Sequence, residues 1–312
     1  MPDTASTRYE LADKPLFEKR LKELCASCSV LYQNADADAA KQQQQVDSAL
    51  AQGVKAIVLD PVDSAAAATM VQKAKTQGVP LIAYDRPIPK AKADYYVSFD
   101  NEKLGALFAQ SLVDKVKEDN PNGGLLQVNG SPTDAAAGLI KKGMHSAIDP
   151  SGLKLLAEYD TPDWAPPKAQ DWVAGQISRF KGEIDGVVAA NDGTAGGAIA
   201  AFKAAGGDVP PVSGNDAELA AAQRIIAGDQ YNTISKPIKI VAGASAEVAY
   251  AFASGKPPEG KTTLFGTPSQ LFVPSVVTKE NVQEKLIDSG EIKASELCSK
   301  EYAKYCSELG IK

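Results

Sequence analysis

Short runs rich in Val, Ile and Leu recur along the chain, and each is followed by a longer Ala-rich stretch whose apolar residues return at helical spacing. The short runs predict strands over 29–33, 56–60, 80–84, 95–99, 125–129, 153–159, 186–190, 209–214, 231–235 and 271–277. The amphipathic stretches predict helices that include 15–24, 37–52, 64–77, 101–117, 135–148, 168–180, 194–205, 217–227, 238–253 and 280–288. Alternation of this kind means α/β architecture, a mostly parallel sheet covered by helices on both faces.

The pattern also repeats itself. Val58-Leu59-Asp60 opens a helical stretch that ends at Gly78-Val79-Pro80 and leads to a strand ending in Asp85. Ala189-Ala190-Asn191 does the same through Gly207-Asp208-Val209-Pro210 to a strand ending near Asp216. Asp60 and Asn191 are 131 residues apart, and so are Asp85 and Asp216, which marks two copies of one half-domain. The expectation from the repeat is two lobes with the same wiring, each a doubly wound parallel sheet. The duplication leaves one gap. The second half carries a strand, 125–129, directly before the loop Gly130-Ser131-Pro132-Thr133-Asp134, whereas the first half opens on the matching loop, residues 2–8. The first copy of that strand, together with an export signal, is therefore expected upstream of Met1, and another segment filling the first-strand position would refute this.

Composition narrows the function. The 312 residues include 33 Lys+Arg against 39 Asp+Glu, a net charge of -6 with no basic run, which disfavours nucleic acid and anionic membrane surfaces as partners. The longest apolar runs fall far short of the roughly 20 residues of a membrane span. Four cysteines form two local pairs, Cys25/Cys28 and Cys298/Cys306, an arrangement that suits disulfides in an oxidising compartment and so favours export. Cys25-Ala26-Ser27-Cys28 also admits a redox or metal reading, although a second such motif and a neighbouring His are missing. On one straight helix Cys298 and Cys306 would stand about 12 Å apart, so bonding them requires the helix between them to break.

Ligands of open α/β sheets bind outside the carboxyl ends of the strands. Arg8, Asp60, Asp85-Arg86, Asp134, Asn191-Asp192, Asn215-Asp216 and Ser235-Lys236 concentrate there. Asp and Asn acceptors paired with Arg and Lys donors suit the hydroxyl ring of a monosaccharide, and Tyr9 and Trp164 are candidates to cover its C–H face. Asp192 reads as a helix N-cap. Gln42–Gln45 reads as a solvated helix face, and His145 as a surface residue.

At these residues the chain resembles the periplasmic sugar-binding proteins of ABC importers, type I periplasmic binding proteins, and within them the xylose-binding branch. The matching stretches are Ala83-Tyr84-Asp85-Arg86, Ser98-Phe99-Asp100-Asn101-Glu102-Lys103, Gly130-Ser131-Pro132-Thr133-Asp134, Ala190-Asn191-Asp192-Gly193-Thr194, Ser213-Gly214-Asn215-Asp216-Ala217 and Ser235-Lys236-Pro237. The resemblance implies two lobes joined by a three-segment hinge, 1–100 plus 237–274 as the N-terminal lobe and 101–236 plus 275–312 as the C-terminal lobe, and a sugar bound in an interlobe cleft by Arg8, Asp85, Arg86, Asp134, Trp164, Asn191, Asp216 and Lys236, with Tyr9 a further aromatic candidate. It also implies a periplasmic or lipoprotein location and delivery to a membrane permease, by a monomer without cofactor or metal. One position departs: where the xylose-binding branch has an Asn pair after the Ser-Pro-x-Asp motif, this chain has Ala135-Ala136. An enzyme is disfavoured because G-x-S-x-G, a zinc-ligand cluster and a nucleotide fingerprint are all missing. The remaining alternative is the sugar-sensing effector domain of a LacI-type transcription regulator, which shares the lobes and the cleft.

Overall fold

Buried parallel strands must be apolar on both faces, and the two central strands of the first unit show why the expected pattern folds as it does. The computed structural model describes residues 1–4 and 8–311, so Ala5–Thr7 of the expected first loop lie outside the described residues. It comprises two compact units: Met1–Asp100, Thr133–Ala136 and Pro237–Phe272 form the first, and Asn101–Pro132, Ala137–Lys236 and Val273–Lys312 form the second. The placement of Thr133–Ala136 differs from the expected assignment of 101–236 to one lobe. Ser64 explains it: its N–H donates to Thr133 O at 3.0 Å and its hydroxyl accepts from Ala135 N–H at 3.1 Å.

In the first unit a turn of π-helix, Tyr9–Asp13, runs into α1 (Lys14–Leu24), followed by α2 (Ala39–Ala51), β1 (Ile57–Leu59), α3 (Ala68–Thr76), β2 (Leu81–Tyr84) and β3 (Tyr95–Phe99). The second unit supplies α4 (Asn101–Asp119), β4 (Gly124–Asn129), α5 (Ala135–Ile148), β5 (Lys154–Asp160), α6 (Pro166–Arg179), β6 (Ile184–Ala189), α7 (Asp192–Ala204), α8 (Leu219–Ala227) and β7 (Asn232–Ser235), the first two residues of α5 grouping with the first unit. The chain then returns to the first unit for α9 (Ile238–Ala253), β8 (Thr262–Leu264) and β9 (Thr267–Phe272). It ends in the second with β10 (Ser275–Thr278), a π-helical turn at Gln283–Asp288, α10 (Ala294–Leu297) and α11 (Ala303–Leu309).

The first sheet runs β1-β2-β3-β9-β8, parallel except for β8. Leu81, Ala83 and Tyr96 pack with Val46, Leu50, Met70 and Val71 from α2 and α3. The alternate residues Ile82, Tyr84 and Val97 pack with Val241 and Val248 of α9 and with Phe17 of α1. The period of two thus sends successive side chains into two separate cores. In the second unit β5-β4-β6 is wholly parallel, and β7 pairs antiparallel with β10.

Three expected strands come out differently. Residues 29–33 join no ladder, and β1 is an edge strand. Residues 209–214 contribute a single bridge, Val212 to Val187, because Pro210 and Pro211 have no N–H to extend it. The expected run 271–277 breaks at Val273-Pro274 into β9 and β10, and β9 is closed into a hairpin with β8 through Phe265 and Gly266, at φ of 49° and 76°. Both cysteine pairs are disulfides, with Cα–Cα distances of 5.3 Å and 5.7 Å. As geometry demands, the helix breaks between Cys298 and Cys306, with Ser299 extended at ψ 148°. Gln42 is a core residue rather than part of a solvated face: its Nε2 donates to Asp60 O at 2.8 Å, its Oε1 accepts from Val62 N–H at 2.8 Å, and it is 2% exposed.

Candidate functional site

In the first unit the chain reverses at Asp85. Arg86 N–H donates to Tyr84 O at 2.6 Å, closing a γ-turn with Asp85 at its centre at a φ of 59°. That left-handed backbone costs a non-glycine residue on the order of 1 kcal/mol. Two hydroxyls from β3 hold it: Tyr96 and Ser98 donate to the Asp85 carbonyl at 2.7 Å and 2.9 Å.

The Asp85 carboxylate accepts from Arg8 Nη1 at 3.1 Å. Asp13, one turn beyond Arg8, takes the rest of the guanidinium, Nε at 3.0 Å and Nη2 at 2.9 Å, and also accepts from the Tyr84 hydroxyl. Burial works against the charge on Arg8, but Asp13 and Asp85 outweigh it and hold the group well above its ordinary range. Tyr9 lies 3% exposed, with the Arg8 guanidinium 5.2 Å from its ring centroid, and burial pushes its phenol up.

Arg86 sits at the centre of three carboxylates. Its Nε lies 3.3 Å from Asp134 and 3.5 Å from Asp60, its Nη2 3.3 Å from Asp3, and its Nη1 donates to Pro61 O at 3.2 Å. Burial opposes this charge too, and Asp134 with Asp60 and Asp3 more than offsets it. Asp134 divides its oxygens, one toward Arg86 and one accepting from Ala136 N–H at 2.8 Å, so the first turn of α5 fixes its orientation. Asp60 is fully buried, and neither of its oxygens has a hydrogen-bond partner among the described residues. Burial therefore pushes its carboxyl well above the carboxylate range, with Arg86 offsetting only part of the shift.

In the second unit Trp164 has a φ of 56° and its indole lies on Gly130, at the end of β4. A Cβ at Gly130 would come within 2.1 Å of the ring, so the glycine of the Gly-Ser-Pro motif is there to let the indole lie against backbone. Asn191, at the end of β6, caps α7: Oδ1 accepts from Thr194 N–H at 2.9 Å, and the Thr194 hydroxyl lies 3.4 Å from Asn191 N–H. The cap is thus Asn191, and the expectation that Asp192 caps this helix fails. Asp192 is instead fully buried, where it accepts from the Thr233 hydroxyl at 2.8 Å, Gln230 Nε2 at 2.8 Å and Glu218 N–H at 3.0 Å. Those bonds brace the loop that carries Asp216, whose φ is 109°. Asp216 pairs with Lys236 at 2.7 Å, and the two side chains are 18% and 8% exposed.

Each unit therefore gathers a set of the predicted residues: Arg8, Tyr9, Asp85, Arg86 and Asp134 in the first, and Trp164, Asn191, Asp216 and Lys236 in the second. Acceptors and donors are held in matched pairs, which suits ligands that both donate and accept. Among the described residues no group of three or more His, Cys, Asp or Glu could hold a metal ion, and no helix is long and apolar enough to cross a membrane. Sequence reasoning missed Asp13, whose spacing from Arg8 across a π-helical turn carries no motif. It named Asp60 and Asp192 without foreseeing that both are fully buried or that Asp192 braces the Asp216 loop.

A family model described as a periplasmic binding protein domain matches residues 1–257. The chain is 37% identical over 295 residues to the D-xylose-binding periplasmic protein of Escherichia coli, covering 91% of this chain and 87% of that one. It is 30% identical over 323 residues to a multiple sugar-binding periplasmic receptor of Rhizobium radiobacter, covering 95% and 90%. Among solved structures, an ABC transporter solute-binding protein from Clostridium phytofermentans with bound β-D-glucose superposes with a TM-score of 0.85 at 27% identity, covering 95% of this chain and 98% of that one.

Proposed function

Because this chain belongs to the periplasmic binding protein family, whose members here are binding proteins and not enzymes, we propose that it captures a monosaccharide outside the cytoplasm and passes it to an ABC permease for import. Xylose or a related aldopyranose is the ligand, drawing contacts from Arg8, Asp85, Arg86 and Asp134 and from Trp164, Asn191, Asp216 and Lys236. The observation that carries this reading is the set of charge-balanced pairs, Arg8 with Asp85, Arg86 with Asp134 and Lys236 with Asp216, whose side chains keep between 4% and 18% of their surface exposed. Hydrogen bonds to charged groups contribute about 1.5–3 kcal/mol each, so a handful yields micromolar or tighter binding, about −8 kcal/mol or better.

The E. coli relative, named for D-xylose, supports the pentose. Relatives named for several sugars, and a structural neighbour with glucose, support the wider aldopyranose class. The buried Ala136 leaves one sugar hydroxyl without a side-chain partner at that position, to be met by water. The sugar-sensing effector domain of a transcription regulator is not favoured, since these relatives are periplasmic proteins.

Thermal unfolding against a panel of pentoses, hexoses, polyols and amino acids tests the reading. A ligand at one hundred times its dissociation constant stabilises the folded state by about 2.7 kcal/mol, which shifts the midpoint by several degrees. D-xylose or a related aldopyranose should produce that shift. An amino acid alone producing it would overturn the reading.

A further inference from the structure

Two consecutive residues of the second unit, Asp216 and Ala217, sit in the left-handed region at φ of 109° and 49°. A residue with a Cβ resists that conformation, which persists only where the surroundings hold it. Here the two amides that follow Asp216 are tied down. Ala217 N–H donates to the Thr233 hydroxyl oxygen at 3.2 Å and Glu218 N–H to Asp192 Oδ2 at 3.0 Å, while the Thr233 hydroxyl donates in turn to the Asp192 carboxylate. On the other side of the turn, Asn215 O accepts from Asp192 N–H at 2.9 Å. The backbone of Asp216 is thus clamped from both sides to one residue, Asp192.

Asp192 is itself held by a side chain that reaches in from α8. Gln230 Nε2 donates to Asp192 Oδ1 at 2.8 Å and to Asn232 O at 3.0 Å. An amide turned by half a revolution would set its oxygen against both acceptors, and Arg224 prevents this: its Nε donates to Gln230 Oε1 at 2.9 Å and its Nη2 to Asp192 O at 2.9 Å. Asp192 and Thr233 are fully buried and Gln230 is 2% exposed, so a lost member leaves a buried polar group unpaired. Two glycines make the room. A Cβ at Gly214 would lie 2.1 Å from Asp192 Oδ1 and 2.4 Å from Gln230 Nε2, and one at Gly196 would lie 3.3 Å from Arg224 Nη1.

We propose that Arg224, acting through Gln230 and Asp192, is a positioning residue for ligand capture, holding Asp216 in the backbone conformation from which it meets the sugar. The proposed function supplies only the identity of Asp216 as a ligand contact; the clamp stands on the bonds above. Asn191, a second ligand contact in that reading, directly precedes Asp192 in the chain, so the same clamp bears on both.

Arg224→Met keeps most of the stem and removes both donors. Exchange of the Glu218 amide, relative to amides of the central strand β4, should speed at least about tenfold, and affinity for D-xylose measured by calorimetry should fall about tenfold. In an Asp216→Asn background, where the positioned residue is already impaired, the same substitution should change affinity less than about twofold while its effect on exchange stays. An equal loss of affinity in both backgrounds marks a general loss of structure and overturns the proposal. So does Glu218 exchange that does not move, or affinity that holds despite faster exchange. If Arg224→Met fails to fold, Arg224→Lys, whose ammonium serves one of the two acceptors, reads the same quantities by the same criteria. A wild type that gives no heat with D-xylose counts against the proposed ligand rather than the clamp; Glu218 exchange then decides the clamp by itself, faster exchange supporting it and unchanged exchange overturning it.

Discussion

Asp13→Asn tests whether the strand-end cluster depends on a residue that touches no ligand in the proposed site. Asp13 is 1% exposed and accepts two bonds from Arg8 and one from Tyr84. The amide keeps the shape but loses the charge, and in either orientation its Nδ2 faces a guanidinium N–H, donor against donor. Breaking a fully buried ion pair costs about 3–5 kcal/mol. Arg8 is partly exposed and keeps Asp85 at 3.1 Å, so about 2–3 kcal/mol is expected here, a fall in the unfolding midpoint of roughly 4–10 °C. Arg8 should also turn away from its ligand-binding pose, weakening the sugar roughly tenfold, equivalent to about 1.4 kcal/mol. Calorimetric unfolding and a sugar titration on the same preparation read both effects. An unchanged midpoint with unchanged affinity would refute the idea that Asp13 positions Arg8.

Gly130→Ala should push the Trp164 indole off the backbone, since the added Cβ would lie 2.1 Å from the ring; a loss of about 1–3 kcal/mol and a shifted Trp fluorescence maximum are expected. Asn191→Asp keeps the cap acceptor that holds α7 but removes the amide donor, so the midpoint should hold while sugar affinity falls; equal losses in both would make Asn191 structural only. Asp60→Asn addresses the buried carboxyl that is pushed well above its usual value of 3.8. A carboxyl with a raised folded-state pKa gives stability that is fully present below pH 3.8 and lost as pH rises toward the folded value. The wild type should therefore lose midpoint relative to Asp60→Asn as pH climbs from 4 to 8; a difference flat across that range contradicts a neutral Asp60.

The alternation of apolar runs and amphipathic stretches carried most of the fold, because buried parallel strands have to be apolar on both faces. β3 falls over the expected 95–99, and β1, β2, β4, β5, β6 and β7 lie within a residue or two of expectation. The misses have local causes. Residues 29–33 have strand composition, but pairing needs a neighbour that composition cannot supply. Val212 is isolated by two prolines, and the β8–β9 hairpin depends on a left-handed Phe265 that no propensity marks. At the site, the repeat made the strand-end residues legible, since one position in each half-domain pointed to its counterpart. The supports were not legible: Asp13, Tyr96, Ser98 and Gln42 reach their partners only after folding. The reversal between Asn191 and Asp192 arose because adjacent Asn and Asp are nearly equal caps, and only the hydroxyl and amide donors of Thr233 and Gln230 draw Asp192 into the core.

A titration calorimeter gives the most direct test of sugar capture. D-xylose added to the wild-type chain should release heat with one-to-one stoichiometry and a dissociation constant of about 1 μM or tighter, and both Asp216→Ala and Arg86→Met should abolish it. Absence of heat with D-xylose and every other aldopentose and aldohexose, or full heat retained in both variants, would contradict the account.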